Sequence, residues 1–142
     1  MIDIQTIMKS ISDKIRLDPI PNGAYQVVAP FFHEDGDMLD IFIRENENQL
    51  QICDFGATLM RLSYNFDINT ENKHNILSKI LNNNGIEDSN GNFILNTNIK
   101  TFFADLLQYQ MAITKVSNMD ILKKNILQAC FLSILVVSLL MI

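Results

Sequence analysis

Residues Phe31–Leu62 read FFHEDGDMLDIFIRENENQLQICDFGATLMRL and contain the clearest structural pattern of the chain. Residues 38–44 and 49–53 both alternate between apolar and polar side chains, the period of a half-buried strand. One strand face carries Leu39, Ile41 and Ile43, and Leu50 and Ile52 can meet it across a turn at residues 45–48. The pattern predicts two antiparallel strands, with one acidic turn at residues 33–37 and another at residues 53–58.

The segments on either side extend this pair into a domain. An apolar stripe of Ile4, Ile7, Met8, Ile11 and Ile15 predicts a helix over residues 3–17 that packs on the domain. Residues 24–32 are expected to add a first strand, which makes a three-stranded antiparallel meander. After Gly56 a short helix begins, and a second helix follows a Thr70 cap and ends before Asn84-Gly85.

The C-terminal half completes the predicted order. Asn90-Gly91 is a strong signal for a short β-hairpin. Asn98 is expected to cap a long helix that reaches about residue 116, with a core-facing stripe of Ile99, Phe102, Phe103, Leu106, Leu107 and Ile113. The sequence therefore predicts an α+β fold, in which an apolar terminal helix follows the long C-terminal helix.

Size and charge narrow the classes of function. The chain has 142 residues, enough for one α+β domain over residues 1–124 followed by an apolar segment at 125–142. Its net charge of −5 repels phosphate backbones, so generic nucleic-acid binding is not expected. Cys53 and Cys130 form no metal or disulfide pattern, and no signal peptide is evident, so we expect a cytoplasmic protein without a cofactor.

The acidic turns hold the candidate chemistry. If Asp35, Asp37 and Asp54 converged, they could bind a divalent cation and support a metal-dependent nuclease or hydrolase, with His33 as a nearby helper. The alternative is structural: residues 35–37 form a solvated turn. Asp54 would then cap the following helix by accepting hydrogen bonds from the backbone of Gly56 to Thr58. The sequence favours the structural reading, without catalytic residues.

Several of these motifs occur together in one bacterial family. The residues are Ala29-Pro30-Phe31 at a strand end, the turn Asp35-Gly36-Asp37, and Asp54-Phe55-Gly56-Ala57-Thr58-Leu59 leading into a helix. The Asn90-Gly91 hairpin and the segment Ser117-Asn118-Met119-Asp120 fit as well. Over about residues 5–124 the chain resembles the family called domain of unknown function 1828. That resemblance implies a product of a bacterial chromosome, phage or mobile element, and no established reaction.

The chain departs from that resemblance after Lys124. Residues 126–142 carry no charge, and as a helix they would span about 25 Å, slightly less than a bilayer core of roughly 30 Å. Three interpretations stay open: a membrane tail anchor on the cytoplasmic side, an end altered by truncation or frame shift, and a helix buried in the domain or an oligomer. The contact residues for a membrane or partner would be Ile126, Phe131, Leu132, Ile134, Leu135, Leu139 and Leu140.

Taken together, these patterns predict a small non-catalytic protein-binding module with an unidentified protein partner. A second copy of the chain is one candidate partner. Two alternatives remain: the metal-dependent nuclease or hydrolase, and an acidic homodimer similar to secretion chaperones.

Overall fold

The computed structural model describes residues 1–120. Its sheet contains β1 (Arg16–Pro19), β2 (Tyr25–Val28), β3 (Phe42–Asn46), β4 (Gln49–Cys53), β5 (Glu87–Ser89) and β6 (Asn92–Thr97). The α-helices in this part of the chain are α1 (Ile4–Ser12), α2 (Ala57–Ser63), α3 (Glu71–Asn83) and α4 (Phe102–Ser117). All strand pairs are antiparallel, in the order β1-β2-β3-β4-β6-β5. The predicted α+β class is confirmed.

The central meander follows from the alternation in residues 38–53. Ile43 lies opposite Ile52 in the β3–β4 pair, and Leu39 and Ile41 are buried in the same core. The connecting residues Glu47 and Asn48 both have positive φ, 51° and 64°. That conformation gives the tight two-residue turn whose twist suits a hairpin.

The N-terminal region differs from its prediction in three ways. The first helix ends at Ser12 rather than residue 17, and residues 16–19 form β1 at the edge of the sheet. An edge strand tolerates Pro19, which has no N–H to donate. The strand expected over residues 24–32 is shorter and ends at Val28. Finally, α1 has no buried residue, so its predicted packing on the domain is wrong.

The second hairpin is part of the same sheet. Asn90 and Gly91 have φ of 51° and 88°, as the predicted turn requires. Their strands are β5 and β6, and β6 pairs with β4 so that Ile52 lies opposite Leu95 and Cys53 opposite Ile94. The hairpin therefore widens the sheet from four strands to six instead of standing apart from it.

Helices α2, α3 and α4 pack together and cover one face of the sheet around β6. Tyr109 and Leu106 of α4 are completely buried there with Phe93 of β6. Only part of the apolar stripe predicted for the long C-terminal helix lies in the core. Leu106 and Ile113 are buried, whereas Phe103 and Leu107 are exposed on the side of α4 away from the sheet. Ile99 is exposed in the turn before the helix. In α3, Leu77 and Leu81 are buried and Ile76 is exposed.

Candidate functional site

Asp54 lies at the junction between β4 and α2, completely buried. Its Oδ1 accepts hydrogen bonds from the backbone N–H of Gly56 at 2.9 Å and of Phe93 at 3.0 Å. Its Oδ2 accepts one from Thr58 N–H at 3.2 Å. Two of these donors are the ones that a helix cap would use. The third, from β6, was not foreseen, and it makes Asp54 a link between the helix and the sheet.

The residue after Asp54 is held in an unfavourable backbone conformation. Phe55 has φ of 50°, which is rare for a bulky side chain, and Gly56 follows at 83°. The Phe55 N–H donates to Asn92 Oδ1 at 2.9 Å. The Phe55 ring packs 5.0 Å from the Phe42 ring, and the Arg44 guanidinium lies 5.6 Å from its centroid. These contacts fix the turn that aims the Asp54 carboxylate into the core.

The other acidic turn is closed by its own backbone. His33 N–H donates to the Asp37 carbonyl at 2.7 Å, and Asp37 N–H donates to Asp35 Oδ1 at 3.0 Å. The second of these bonds lowers the pKa of the Asp35 carboxyl, and the Arg61 charge adds to that effect. The residues form a compact solvated turn, in agreement with the structural interpretation.

Arg61 of α2 supplies the positive charge for this turn. Its Nη1 donates to Asp37 Oδ2 at 3.2 Å, and its Nη2 donates to Asp35 Oδ2. One guanidinium thus pairs with both carboxylates in a forked arrangement and offsets part of their combined negative charge. This contact could not be foreseen from the sequence, since Arg61 lies 24 to 26 residues further along the chain.

The structure therefore brings His33, Asp35 and Asp37 together but does not add Asp54. The Asp54 oxygens bind backbone donors, whereas the Asp35 and Asp37 oxygens bind Arg61. Within residues 1–120, no group of three His, Cys, Asp or Glu side chains is arranged to hold a metal ion. A hydrolase using all three aspartates has no geometric support in this part of the chain.

A small cavity lies beside the acidic turn, between the end of α2 and the end of α4. Its volume is about 160 Å³, and its walls include His33, Arg61, Asn65, Ser117 and Asn118. Burial, followed by the Arg61 charge, lowers the pKa of the His33 imidazole, so the ring is neutral near pH 7. The Ser117 hydroxyl is buried without a hydrogen-bond partner in the described structure. The cavity could hold a few water molecules against these polar groups.

Cys53 is completely buried in β4. Burial raises the pKa of its thiol to about 11, so the thiolate is scarce at neutral pH. A buried neutral thiol is a poor nucleophile. In this environment Cys53 serves as a small apolar core residue.

Two groups of large apolar side chains are exposed on the protein surface. In α1 the side chains of Ile4, Ile7, Met8 and Ile11 are 45% to 62% exposed and share one face. A second exposed stripe consists of residues spaced four apart: Ile99 in the turn before α4, and Phe103, Leu107 and Met111 of α4, with exposures of 38% to 90%. We call these the α1 face and the α4 stripe. Clusters of this kind mark interaction surfaces.

Comparison with known proteins gives one match. The family model for the domain of unknown function DUF1828 matches residues 29–116, more than half of the chain. The chain belongs to this family. The match begins after β2, so α1, β1 and β2 lie outside it. Neither the curated proteins nor the solved structures contain a match to the chain.

The interpretations of the apolar C-terminal segment stay predictions from the sequence. Residues 125–142, and with them the contacts proposed for Ile126, Phe131, Leu132, Ile134, Leu135, Leu139 and Leu140, lie outside the described residues. Within residues 1–120, no helix has the length and apolar character needed to cross a membrane.

The pairing of Arg61 with two carboxylates leads to a direct prediction about divalent cations. We expect 5 mM Mg²⁺ or Mn²⁺ (about a hundredfold above a typical 50 µM site) to leave the melting temperature unchanged, because no strong site is open. Differential scanning fluorimetry measures this. A bound cation at a hundred times its dissociation constant would add about 2.7 kcal/mol of stability. A shift of that size, lost in Asp37→Ala, would contradict the structural interpretation of the turn.

Proposed function

We propose that this DUF1828 protein is a non-catalytic protein-binding module. The observation that carries the proposal is the pair of exposed apolar surfaces, the α1 face and the α4 stripe. Binding surfaces of protein modules are rich in aliphatic, aromatic and Met side chains of this kind. The net charge of −5 favours a protein partner over a nucleic acid.

The low stability expected for α1 on its own also supports this proposal. It is nine residues long, and none of its residues is buried. Isolated helices shorter than about 12–15 residues are marginal in water, because tertiary packing normally supplies most helix stability. A cap at Asp3, which accepts from Thr6 N–H and Thr6 Oγ1, adds only part of the missing stability. An amphipathic helix of this length gains the rest by docking its apolar face on another molecule.

The candidate chemistry offers less support to an enzyme. Asp54, Asp35 and Asp37 each bind a structural partner, and the Cys53 thiol is neutral and buried. The proposal therefore keeps the metal-dependent hydrolase as the weaker alternative. We also propose that the protein is cytoplasmic and is encoded by a bacterial chromosome, phage or mobile element. Membrane association through residues 126–142 is a further part of the proposal.

The test is capture of a partner by a matched set of variants. The bait is the full chain, and the α1 face is changed in the double variant Ile7→Glu/Ile11→Glu. We expect proteins that bind the wild-type chain in an extract of the source cell to be lost from this variant, by more than tenfold in quantitative mass spectrometry.

The control places the same charge on the other side of the helix. Gln5→Glu/Ser10→Glu adds two carboxylates outside the α1 face and should retain the wild-type set. If the two double variants capture the same proteins in the same amounts, the α1 face is not a binding surface. Hydrolysis of a phosphodiester by purified wild-type protein, lost in Asp37→Ala, would overturn the proposal as a whole.

A further inference from the structure

The two exposed surfaces lie in one chain but do not cover each other there. Residues 13–15 join α1 to β1, and Ile15 already packs against the core. Three residues span at most about 11 Å. Helix α4 packs on β6, which is four strand positions from β1, or roughly 19 Å at 4.8 Å per strand. In the described structure α1 does not lie along α4 of its own chain, since both apolar surfaces are exposed.

A second copy of the chain can cover both surfaces. We infer that the α1 face of one copy docks on the α4 stripe of a second copy, and that the same contact is repeated in reverse about a twofold axis. This inference rests on the proposed function and names the partner of the same surfaces. In such an isologous pair, each chain supplies one α1 face and one α4 stripe.

The available area matches what a dimer needs. The eight side chains are 38% to 90% exposed. With the roughly 150–250 Å² of a complete aromatic side chain as the upper guide, they offer at most roughly 700–1,100 Å² per chain. A stable specific interface buries about 800 Å² per partner. The α1 face alone supplies about half of that, so a dimer built from α1 pairing with α1 falls short, whereas the reciprocal α1–α4 contact reaches it.

The chemistry of the two surfaces is also compatible. The α1 face contains three Ile residues and one Met, and the α4 stripe adds an aromatic ring at Phe103 and a second thioether at Met111. None of these side chains carries a charge that the contact would have to desolvate. A helix laid on a helix through i, i+3 and i+4 positions is a common way to bury two apolar stripes.

The experiment measures the mass of the full chain in solution by light scattering and sedimentation. One chain has a mass of 16.2 kDa, and we expect the wild-type protein to have twice that mass at micromolar concentration. Ile7→Glu/Ile11→Glu on the α1 face and Phe103→Glu/Met111→Glu on the α4 stripe should each raise the dissociation constant at least a hundredfold. Gln5→Glu/Ser10→Glu should remain dimeric. Circular dichroism and melting curves verify that each variant is folded.

Mixing the two disrupted variants tests the reciprocal geometry. For the mixture, the α4 stripe carries lysines in place of glutamates, as Phe103→Lys/Met111→Lys. In a mixed dimer, the intact α1 face of one chain then meets the intact α4 stripe of the other. In the second contact, the two glutamates of the α1 variant lie opposite the two lysines of the α4 variant, so that both contacts are attractive. We expect the mixture to form heterodimers that neither variant forms as a homodimer. If the mixture stays monomeric while the wild type is dimeric through α1 alone, the α1–α4 pairing is wrong.

The remaining outcomes separate the inference from the proposed function. A monomeric wild-type chain overturns the inference, whether its α1 face is accessible or is protected from hydrogen exchange by residues 121–142. If that monomer still captures other proteins through the α1 face, the protein-binding function stands without the dimer. If it captures none, both proposals fail.

Discussion

Asp54→Ala is expected to lower the free energy of unfolding by about 3–5 kcal/mol, because it leaves three backbone donors without their acceptor in a dry site. Those donors are the N–H groups of Gly56, Thr58 and Phe93. For a domain of this size, the melting temperature should fall by roughly 10–20 °C. Urea unfolding followed by circular dichroism measures the free energy directly. The loss exceeds that of a surface helix cap, which is typically about 1 kcal/mol.

Two further variants serve as controls for Asp54→Ala. Asp54→Asn keeps one acceptor oxygen but turns an amide N–H₂ towards a donor, so its loss of stability should lie between those of wild type and Asp54→Ala. Asp67→Ala removes an exposed carboxylate and should change stability by less than about 0.5 kcal/mol. If Asp54→Ala unfolds at the same urea concentration as wild type, the buried network does not have the structural role described here.

The second large effect is a loss of stability in alkali that originates at Cys53. The folded chain raises the pKa of this thiol from its ordinary value near 9 to about 11. A raised pKa favours the neutral thiol, so the stabilisation is complete below pH 9. It is lost as the pH rises towards 11, because the unfolded chain then releases its proton first. Over this interval, the Cys53 contribution should fall by about 2–3 kcal/mol.

The comparison variant is Cys53→Ala, which removes the titrating group and leaves a small cavity. It should be less stable than wild type by about 1 kcal/mol at pH 7, and that difference should shrink or reverse by pH 11. Burial also raises the pKa of Tyr109, and the charges of Asp54 and Cys53 add to that shift, so the difference between the two proteins includes the part of the Tyr109 shift that comes from Cys53. Parallel stability curves for the two proteins from pH 8 to 11 would show that Cys53 is not the source.

The sequence predicts those parts of this protein that depend on local pattern. Alternation placed Leu39, Ile41 and Ile43 in the core, and turn chemistry located the hairpin at Asn90-Gly91. The cap at Thr70 is also as predicted, since its hydroxyl accepts from Lys73 N–H at 3.2 Å. Each of these signals is contained within a few neighbouring residues, where propensity and steric rules act directly.

Other features escaped prediction because they depend on distant parts of the chain. The stripe that continues through Ile15 fits a helix, but pairing with β2 turns the adjacent residues 16–19 into an edge strand. A helical stripe shows which side is apolar and not what covers it, which is why α1 and half of α4 were assigned to the core. At the candidate site, Arg61 and the N–H of Phe93 reach Asp37 and Asp54 from separate elements. The spacing of these residues in the sequence does not indicate either contact.

The insertion of β6 beside β4 has a consequence for how the chain folds. β3 and β4 can form a hairpin through a two-residue turn, and hairpin formation takes about 1–10 μs. β6 reaches β4 only after α2 and α3 have been enclosed in the intervening loop, and the Asp54–Phe93 bond closes a separation of 39 residues. Non-local closure of this kind slows folding. Until β6 arrives, the middle strand of the finished sheet is an open edge, so the nascent chain is most vulnerable to aggregation at its future centre.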